Sequence, residues 1–297
     1  MEKFTQWRDP GTGISPFMPV SKPKKSNVII AVLQTLPKIV LALLRTPPLM
    51  LYSLVYCMVP LAFVRRWVIS FLLNFLFSTN LFGSSYDASI EGIKRSNTKL
   101  KKANMPHPGD VIIVNHTSPL DGMVLYLISS NCSFLTFTKD GALVELSVWE
   151  VFTSALSLEK PNKPPVKLAN YANKVVYLFA EGTTSNGKSI LPYNKGYNSV
   201  VTEAKKGHKL KILAMKLTPS QLTTPIPKPV VSYLWELLTN FGALMFRIRI
   251  ELLDEHQSLQ SIREKSAEIG RLRLVGAQLD IVNKGLFVEA YRKNTRS

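Results

Sequence analysis

His116 and Asp121 are the residues of this 297-residue chain whose types and spacing most directly suggest chemistry. A carboxylate that holds one imidazole nitrogen leaves the other free to take a proton from a hydroxyl, which makes an oriented general base. Five residues apart on one helix, the two side chains would point about 140° apart, given 3.6 residues per turn. They can meet only if His116 lies in a turn ahead of a helix that carries Asp121. The local sequence supplies that turn. Val111 to Val114 is an apolar, β-branched run of the kind that forms a buried strand, and Ser118-Pro119 is a helix start, with Ser as cap and Pro at the first position. A structural reading stands beside the chemical one: Ser118-x-x-Asp121 also fits a capping box, with Asp as a less usual partner than Glu.

A second stretch, Val175 to Lys188, repeats the form of an apolar strand entering a polar loop. Gly182 permits close approach of a ligand to the backbone. Thr183, Thr184 and Ser185 offer hydroxyls and N–H groups suited to a phosphate, and Lys188 and Lys195 add charge. Asn186-Gly187 alone also suits an ordinary hairpin turn, and Glu181 a helix cap. Loops at strand ends along one edge of an α/β sheet are where ligands bind. A base beside a phosphate cradle implies reaction at a hydroxyl near a phosphate. The helix start adds N–H groups able to hold an oxyanion.

The elements that must position these loops follow from the rest of the chain. Strand-like runs fall at Asp110–Val114, Phe134–Thr138, Val175–Phe179, Leu210–Leu217 and Met245–Leu253. Helical candidates are Pro119–Ser129, Leu143–Leu156, Val166–Asn173, Val230–Leu244 and an amphipathic region over 257–280. This alternation predicts an α/β domain, a mixed sheet flanked by helices, over residues 87–297. Residues 1–26, rich in Gly, Pro and Lys, read as a polar arm and not as a cleavable signal peptide.

Residues 27–86 read as membrane-anchoring helices or a hairpin, so the α/β domain is preceded by a membrane-embedded helical region. Thr46 to Val64 and Trp67 to Tyr86 carry no charge, and each is close to the length that crosses a bilayer. Pro47, Pro48 and Pro60 argue against long straight helices there. Lys22, Lys24, Lys25, Lys94, Arg95, Lys99, Lys101 and Lys102 flank the region, which favours both ends on the cytosolic side, with a merely solvated basic face as the alternative.

The formal net charge of +17 implies anionic partners. The basic residues are dispersed without aromatic interleaving, which points to lipid or phosphorylated substrate and away from nucleic acid. Cys57 and Cys132 have neither metal-ligand spacing nor a disulfide framework, so no metal site is expected.

Asn115-His116-Thr117-Ser118-Pro119-Leu120-Asp121 resembles the first block of the glycerolipid acyltransferase family, of the 1-acylglycerol-3-phosphate acyltransferase type. Glu181-Gly182-Thr183-Thr184-Ser185 resembles its third block, and order and spacing also fit at Lys195-Gly196. The resemblance extends over the whole chain, including Trp7-Arg8-Asp9-x-Gly11-Thr12-Gly13-Ile14. It implies an acyl-CoA-dependent transferase acting on lysophosphatidic acid, with His116 as base and Asp121 as its orienting partner. Asn115, Glu181, Gly182, Thr183, Thr184, Ser185 and Lys195 are the substrate-binding candidates. Acyl-CoA is a co-substrate, and no cofactor is implied. The implied location is the membrane of the endoplasmic reticulum and lipid droplets, with the catalytic domain cytosolic.

The chain departs from the pattern in three places. The third block usually carries Arg where this chain has Thr184, so phosphate charge falls to other groups, with Lys188 and Lys195 as candidates. Near Val151–Lys160 there is no clear copy of the second block and its Arg, and Lys160 is the candidate there. The apolar strand Ile212 to Lys216 lacks the Pro of the fourth block. Two alternatives remain open on the sequence: an acyltransferase for another lysophospholipid, and a noncatalytic membrane protein that binds anionic lipid.

Overall fold

The structure is a computed structural model and describes residues 2–20, 28–76, 104–129, 131–253 and 257–296. The strands are β1 (Asp110–Val114), β2 (Cys132–Phe137), β3 (Leu143–Leu146), β4 (Val175–Phe179), β5 (Ser189–Ile190), β6 (Lys209–Thr218), β7 (Met245–Leu252) and β8 (Arg273–Leu274). The helices are α1 (Val28–Met58), α2 (Ala62–Phe71), α3 (Asp121–Ile128), α4 (Val148–Ala155), α5 (Tyr197–Ala204), α6 (Val230–Leu238), α7 (Leu259–Gly270) and α8 (Ile281–Arg296). Six strands form one mixed sheet in the order β3-β2-β4-β1-β6-β7, with β5 and β8 paired apart from it. The four inner strands run parallel, and β3 and β7 close the edges antiparallel. Full burial of β1 and β4 explains their unbroken apolar runs, since a parallel strand is covered on both faces.

Alternate residues of these strands feed two cores. Ile112, Val114, Tyr177, Phe179 and Leu213 face α3, α4 and α6, and this layer continues into Val68, Ile69, Leu72 and Leu73 of the helical hairpin. Val111, Ile113, Val176, Leu178 and Ile212 face α5 and α7. A smaller cluster joins the N-terminal arm, through Trp7 and Phe17, to Phe287 and Val288 of α8.

The helical boundaries differ from the sequence expectation where local polar chemistry intervenes. The expected helix over Leu143–Leu156 divides into β3 and α4. Ser147 caps α4 in a reciprocal capping box with Glu150, so the chain enters the helix only there. Over Val166–Asn173 only the short 3-10 turn Leu168–Tyr171 forms. Helix α6 stops at Leu238, where Arg45 donates to the carbonyls of Leu238 (3.0 Å) and Asn240 (2.9 Å). In the opposite direction, α1 runs continuously through Pro37, Pro47 and Pro48. Its anchorage to the end of α6 falls at Arg45, beside the two adjacent prolines. Within α1, Thr35–Met58 is long and apolar enough to cross a membrane, and little of it is buried. The basic residues expected to flank this region, Lys22 to Lys25 and Lys94 to Lys102, lie outside the described residues.

Candidate active site

The register of the two central strands sets the site. Val114 pairs with Phe179 at the carboxyl ends of β1 and β4. His116 and Glu181 each lie two residues beyond that pair. The loops carrying them therefore leave the same edge of the sheet side by side, as ligand loops do in α/β folds.

His116 sits in the turn, and α3 begins at Asp121, so the imidazole folds back onto the carboxylate. Nδ1 of His116 lies 3.1 Å from Oδ2 of Asp121, and both side chains are buried. The same oxygen accepts from the N–H groups of Thr117 (2.7 Å) and Ser118 (2.9 Å). The capping and catalytic readings of Asp121 thus describe one atom: it closes the turn that presents the histidine. Ser118 Oγ accepts from Leu120 N at 3.2 Å and meets the Tyr233 hydroxyl at 3.1 Å, which fixes the turn against α6. Burial is the main influence on His116 and lowers its pKa. The bond to Asp121 opposes that shift, and Lys160 and Lys284 add to it. The imidazole is therefore neutral at physiological pH, the form a general base requires.

The second loop is tied to the first through the backbone. Ser185 N donates to the His116 carbonyl at 3.0 Å, and Thr224 N to the Thr117 carbonyl at 3.0 Å. Thr184 Oγ1 donates to the Thr224 carbonyl at 2.6 Å. Gly182 has φ +67°, and a Cβ there would lie 3.1 Å from the Phe137 carbonyl, so both conformation and space require glycine. Asn186 reaches the arm: its side chain donates to the carbonyls of Ser15 and Met18, and Pro16 accepts from its N–H.

Two lysines and a carboxyl group bear on the electrostatics of these loops. Lys284, on α8, is 2% exposed, and its Nζ donates to the carbonyl (2.7 Å) and hydroxyl (2.8 Å) of Thr184. Burial holds its pKa well below that of an ordinary lysine. Part of the Lys160 side chain stays open to solvent, yet its ammonium is set deeply enough that burial brings its pKa down to about 8. Glu181 is 1% exposed. Its Oε1 accepts from Leu191 N at 3.2 Å, and its Oε2 has no partner among the described residues. Burial pushes its carboxyl up to about 8, against the opposing pull of that bond and of Arg263 and Lys284.

The structure brings His116, Asp121, Glu181, Gly182, Thr183, Thr184 and Ser185 to one place. It does not bring Lys195 there: that side chain is exposed, while its neighbour Asn194 is buried and bonded to the Thr138 carbonyl. Asn115 serves as a strut, exchanging two hydrogen bonds with the backbone of Met215 across β1 and β6 (2.9 and 2.8 Å). The N–H groups expected to face an oxyanion at the helix start are largely engaged: those of Thr117 and Ser118 by Asp121, that of Leu120 by Ser118, and that of Asp121 by the Ser118 carbonyl. Sequence reasoning missed Lys284. The one signal available was an Asn-Lys pair inside an otherwise apolar stretch, Ile281 to Val288.

Residues 97–218 match the family model described as Acyltransferase. The chain is 27% identical to lysophosphatidic acid:oleoyl-CoA acyltransferase 1 of Saccharomyces cerevisiae, over 100% of this chain and 99% of that protein. It is 29% identical, over 93% of this chain and 94% of the other, to a Schizosaccharomyces pombe protein that carries the same enzyme name provisionally. Among solved structures, a 1-acyl-sn-glycerophosphate acyltransferase of Thermotoga maritima covers 79% of this chain and 95% of its own, at 13% identity and a TM-score of 0.36, a likeness too slight to carry weight.

Proposed function

We propose that this chain, whose residues 97–218 match the acyltransferase family model, is an acyltransferase that moves an acyl group from acyl-CoA to the sn-2 hydroxyl of lysophosphatidic acid, giving phosphatidic acid and free coenzyme A. The observation that carries the proposal is the buried His116–Asp121 pair, held neutral and oriented at the edge of the sheet. The names of the two fungal relatives supply the substrate class.

With Nδ1 engaged by Asp121, Nε2 is the nitrogen left for the acceptor. It takes the hydroxyl proton as the oxygen attacks the thioester carbonyl. The tetrahedral intermediate collapses, the carbon–sulfur bond breaks, and the imidazolium returns its proton to the departing thiolate. Asp121 stabilises the imidazolium between these two transfers. The thioester supplies the driving force, so the chain mainly orients two substrates, and the mechanism uses neither metal nor cofactor. Apolar residues left open along α1 and α2, among them Leu43, Leu44, Leu54, Phe63 and Trp67, support a domain held at a membrane from which the lipid acceptor arrives. The endoplasmic reticulum and lipid droplets, with the catalytic domain cytosolic, are the proposed location.

The test is a thiol-release assay on the purified full chain in detergent, with oleoyl-CoA and a panel of lysolipids. Release that depends on lysophosphatidic acid and yields phosphatidic acid supports the proposal. Release with choline or ethanolamine lysolipids alone reassigns the acceptor, and no release with any acceptor rejects the enzyme reading.

A further inference from the structure

We infer that the N-terminal arm is part of the active-site framework, with Asp9 and Asn186 as positioning residues that hold the two ends of loop 181–186 against the His116 turn. The inference rests on the proposed acyl transfer and adds to it a segment far from the dyad in sequence.

The arm is shaped by its own residues. Asp9 N donates to the Ile14 carbonyl and Gly13 N to the Asp9 carbonyl, both at 2.8 Å, so residues 9–14 close into a turn. Asp9 Oδ2 accepts from the N–H (2.7 Å) and hydroxyl (2.6 Å) of Thr12. Gly13 has φ +68°, which favours glycine, and Arg8 Nε donates to its carbonyl at 2.7 Å. Trp7 before the turn and Phe17 after it pack on Phe287 of α8, with ring centroids 5.4 and 5.8 Å apart.

Two routes lead from this turn to the active-site loop. The direct one ends at Asn186, which is 3% exposed. Its Nδ2 donates to the carbonyls of Ser15 (2.9 Å) and Met18 (3.1 Å), and its N–H to that of Pro16 (3.0 Å). One residue earlier, Ser185 N donates to the His116 carbonyl (3.0 Å). Adjacent residues thus tie the same end of the loop to the arm and to the turn that carries the base. The second route starts at Asp9 Oδ1, which accepts from Gly276 N at 2.8 Å. The carbonyl of that same peptide group, on Val275, accepts from Arg263 at 2.6 Å. Arg263 also donates to the Leu191 carbonyl at 3.0 Å, and Leu191 N donates to Glu181 Oε1 at 3.2 Å. The arm therefore reaches Glu181, at the other end of the loop, through an unbroken series of hydrogen bonds.

A passive cover does not account for these contacts. Trp7 and Phe17 alone would seal the apolar side of α8. Asp9 is 5% exposed, and a buried carboxylate is costly unless its oxygens are satisfied. Here one oxygen closes the arm's turn, and the other grips the peptide that Arg263 holds from its far side. Asn186 divides in the same way. Its Oδ1 accepts from Lys188 N at 3.3 Å, a local turn bond that aspartate makes as well as asparagine. Its Nδ2 faces two carbonyls, a place that only a donor fits. The arm, and not the turn, specifies asparagine at this position.

The experiment compares the full-length wild type with Asn186→Asp, Asn186→Ala and Asp9→Ala. It measures kcat with oleoyl-CoA and lysophosphatidic acid well below each melt, and hydrogen exchange over residues 182–191. Asn186→Asp keeps the turn acceptor and the side-chain size but sets a carboxylate against the carbonyls of the arm. It is expected to lower kcat by about 10- to 100-fold, the scale of a catalytic group displaced by roughly 1 Å, and at least as much as Asn186→Ala. Asp9→Ala should lower kcat by about 10-fold and quicken exchange over 182–191, far along the chain from the substitution. The inference is overturned by kcat within twofold of wild type in folded Asn186→Asp or folded Asp9→Ala, or by unchanged exchange in Asp9→Ala. If the Asn186 variants fail to fold, Asp9→Ala, on an arm outside the two sheet cores, decides alone. If the wild type does not turn over lysophosphatidic acid, the proposed reaction falls, and exchange in Asp9→Ala judges the brace: faster exchange upholds it, and unchanged exchange rejects it.

Discussion

Replacing Asp121 with Asn separates the two tasks that its Oδ2 performs. Asparagine keeps an acceptor for the N–H groups of Thr117 and Ser118, now 2.7 and 2.9 Å from that oxygen. It removes the charge that raises the His116 pKa and stabilises the imidazolium. Hydrogen bonds to a charged acceptor are worth about 1.5–3 kcal/mol against about 1 for neutral ones. Two turn contacts weakened in this way should cost roughly 1–3 kcal/mol of stability, a few degrees in Tm for a chain of this size. Turnover should fall much further. Loss of effective general-base action corresponds to about 10²- to 10⁴-fold, or roughly 3–5 kcal/mol of transition-state stabilisation. The assay is kcat from thiol release, alongside a thermal melt of the same sample. If kcat stays within threefold while Tm falls, Asp121 is only a cap, and the dyad has no catalytic part.

Two other perturbations read different parts of the structure. The folded-state pKa of Glu181 is raised from 4.5 to about 8, so its contribution to stability is full below pH 4.5 and is lost as pH rises towards 8. Glu181→Gln should therefore flatten the decline of Tm over that window, by an amount worth about 5 kcal/mol at most. Equal slopes in wild type and variant would show that the carboxyl titrates normally. At the other end of the sheet, Lys211 and Asp110 form a buried ion pair at 2.6 Å. Asp110→Asn should cost about 3–5 kcal/mol in a denaturant melt by stranding the ammonium, and a change under 1 kcal/mol would mean that the pair is effectively solvated.

The strands were the most legible part of the fold. Asp110–Val114 and Val175–Phe179 form at their expected ends, because a parallel strand buried on both faces writes an uninterrupted apolar run. The dyad was legible for a related reason: Ser118-Pro119 fixes where the turn must be, and five residues is the spacing that turn allows. The helices were less legible where one short apolar segment suits either element, as at Leu143–Leu146, which an antiparallel partner makes a strand. Local pattern could not reveal Lys284. Its meaning depends on a contact 100 residues away with Thr184 and on an arm that packs Phe17 against Phe287. Lys195 lies next to the matching block and carries the right charge, yet its side chain is exposed. The Lys195 side chain points to solvent although it lies next to the block in sequence, whereas the C-terminal helix brings Lys284 against Thr184 from far along the chain.

The central claim is that His116 takes the acceptor's proton. It is tested most directly by His116→Ala in the full chain, purified in detergent and assayed with oleoyl-CoA and lysophosphatidic acid for both thiol release and phosphatidic acid. The account predicts that wild type forms the two products in equal amounts, and that the variant, folded by its melt, is slower by at least about 100-fold. A folded variant within twofold of wild type would contradict it.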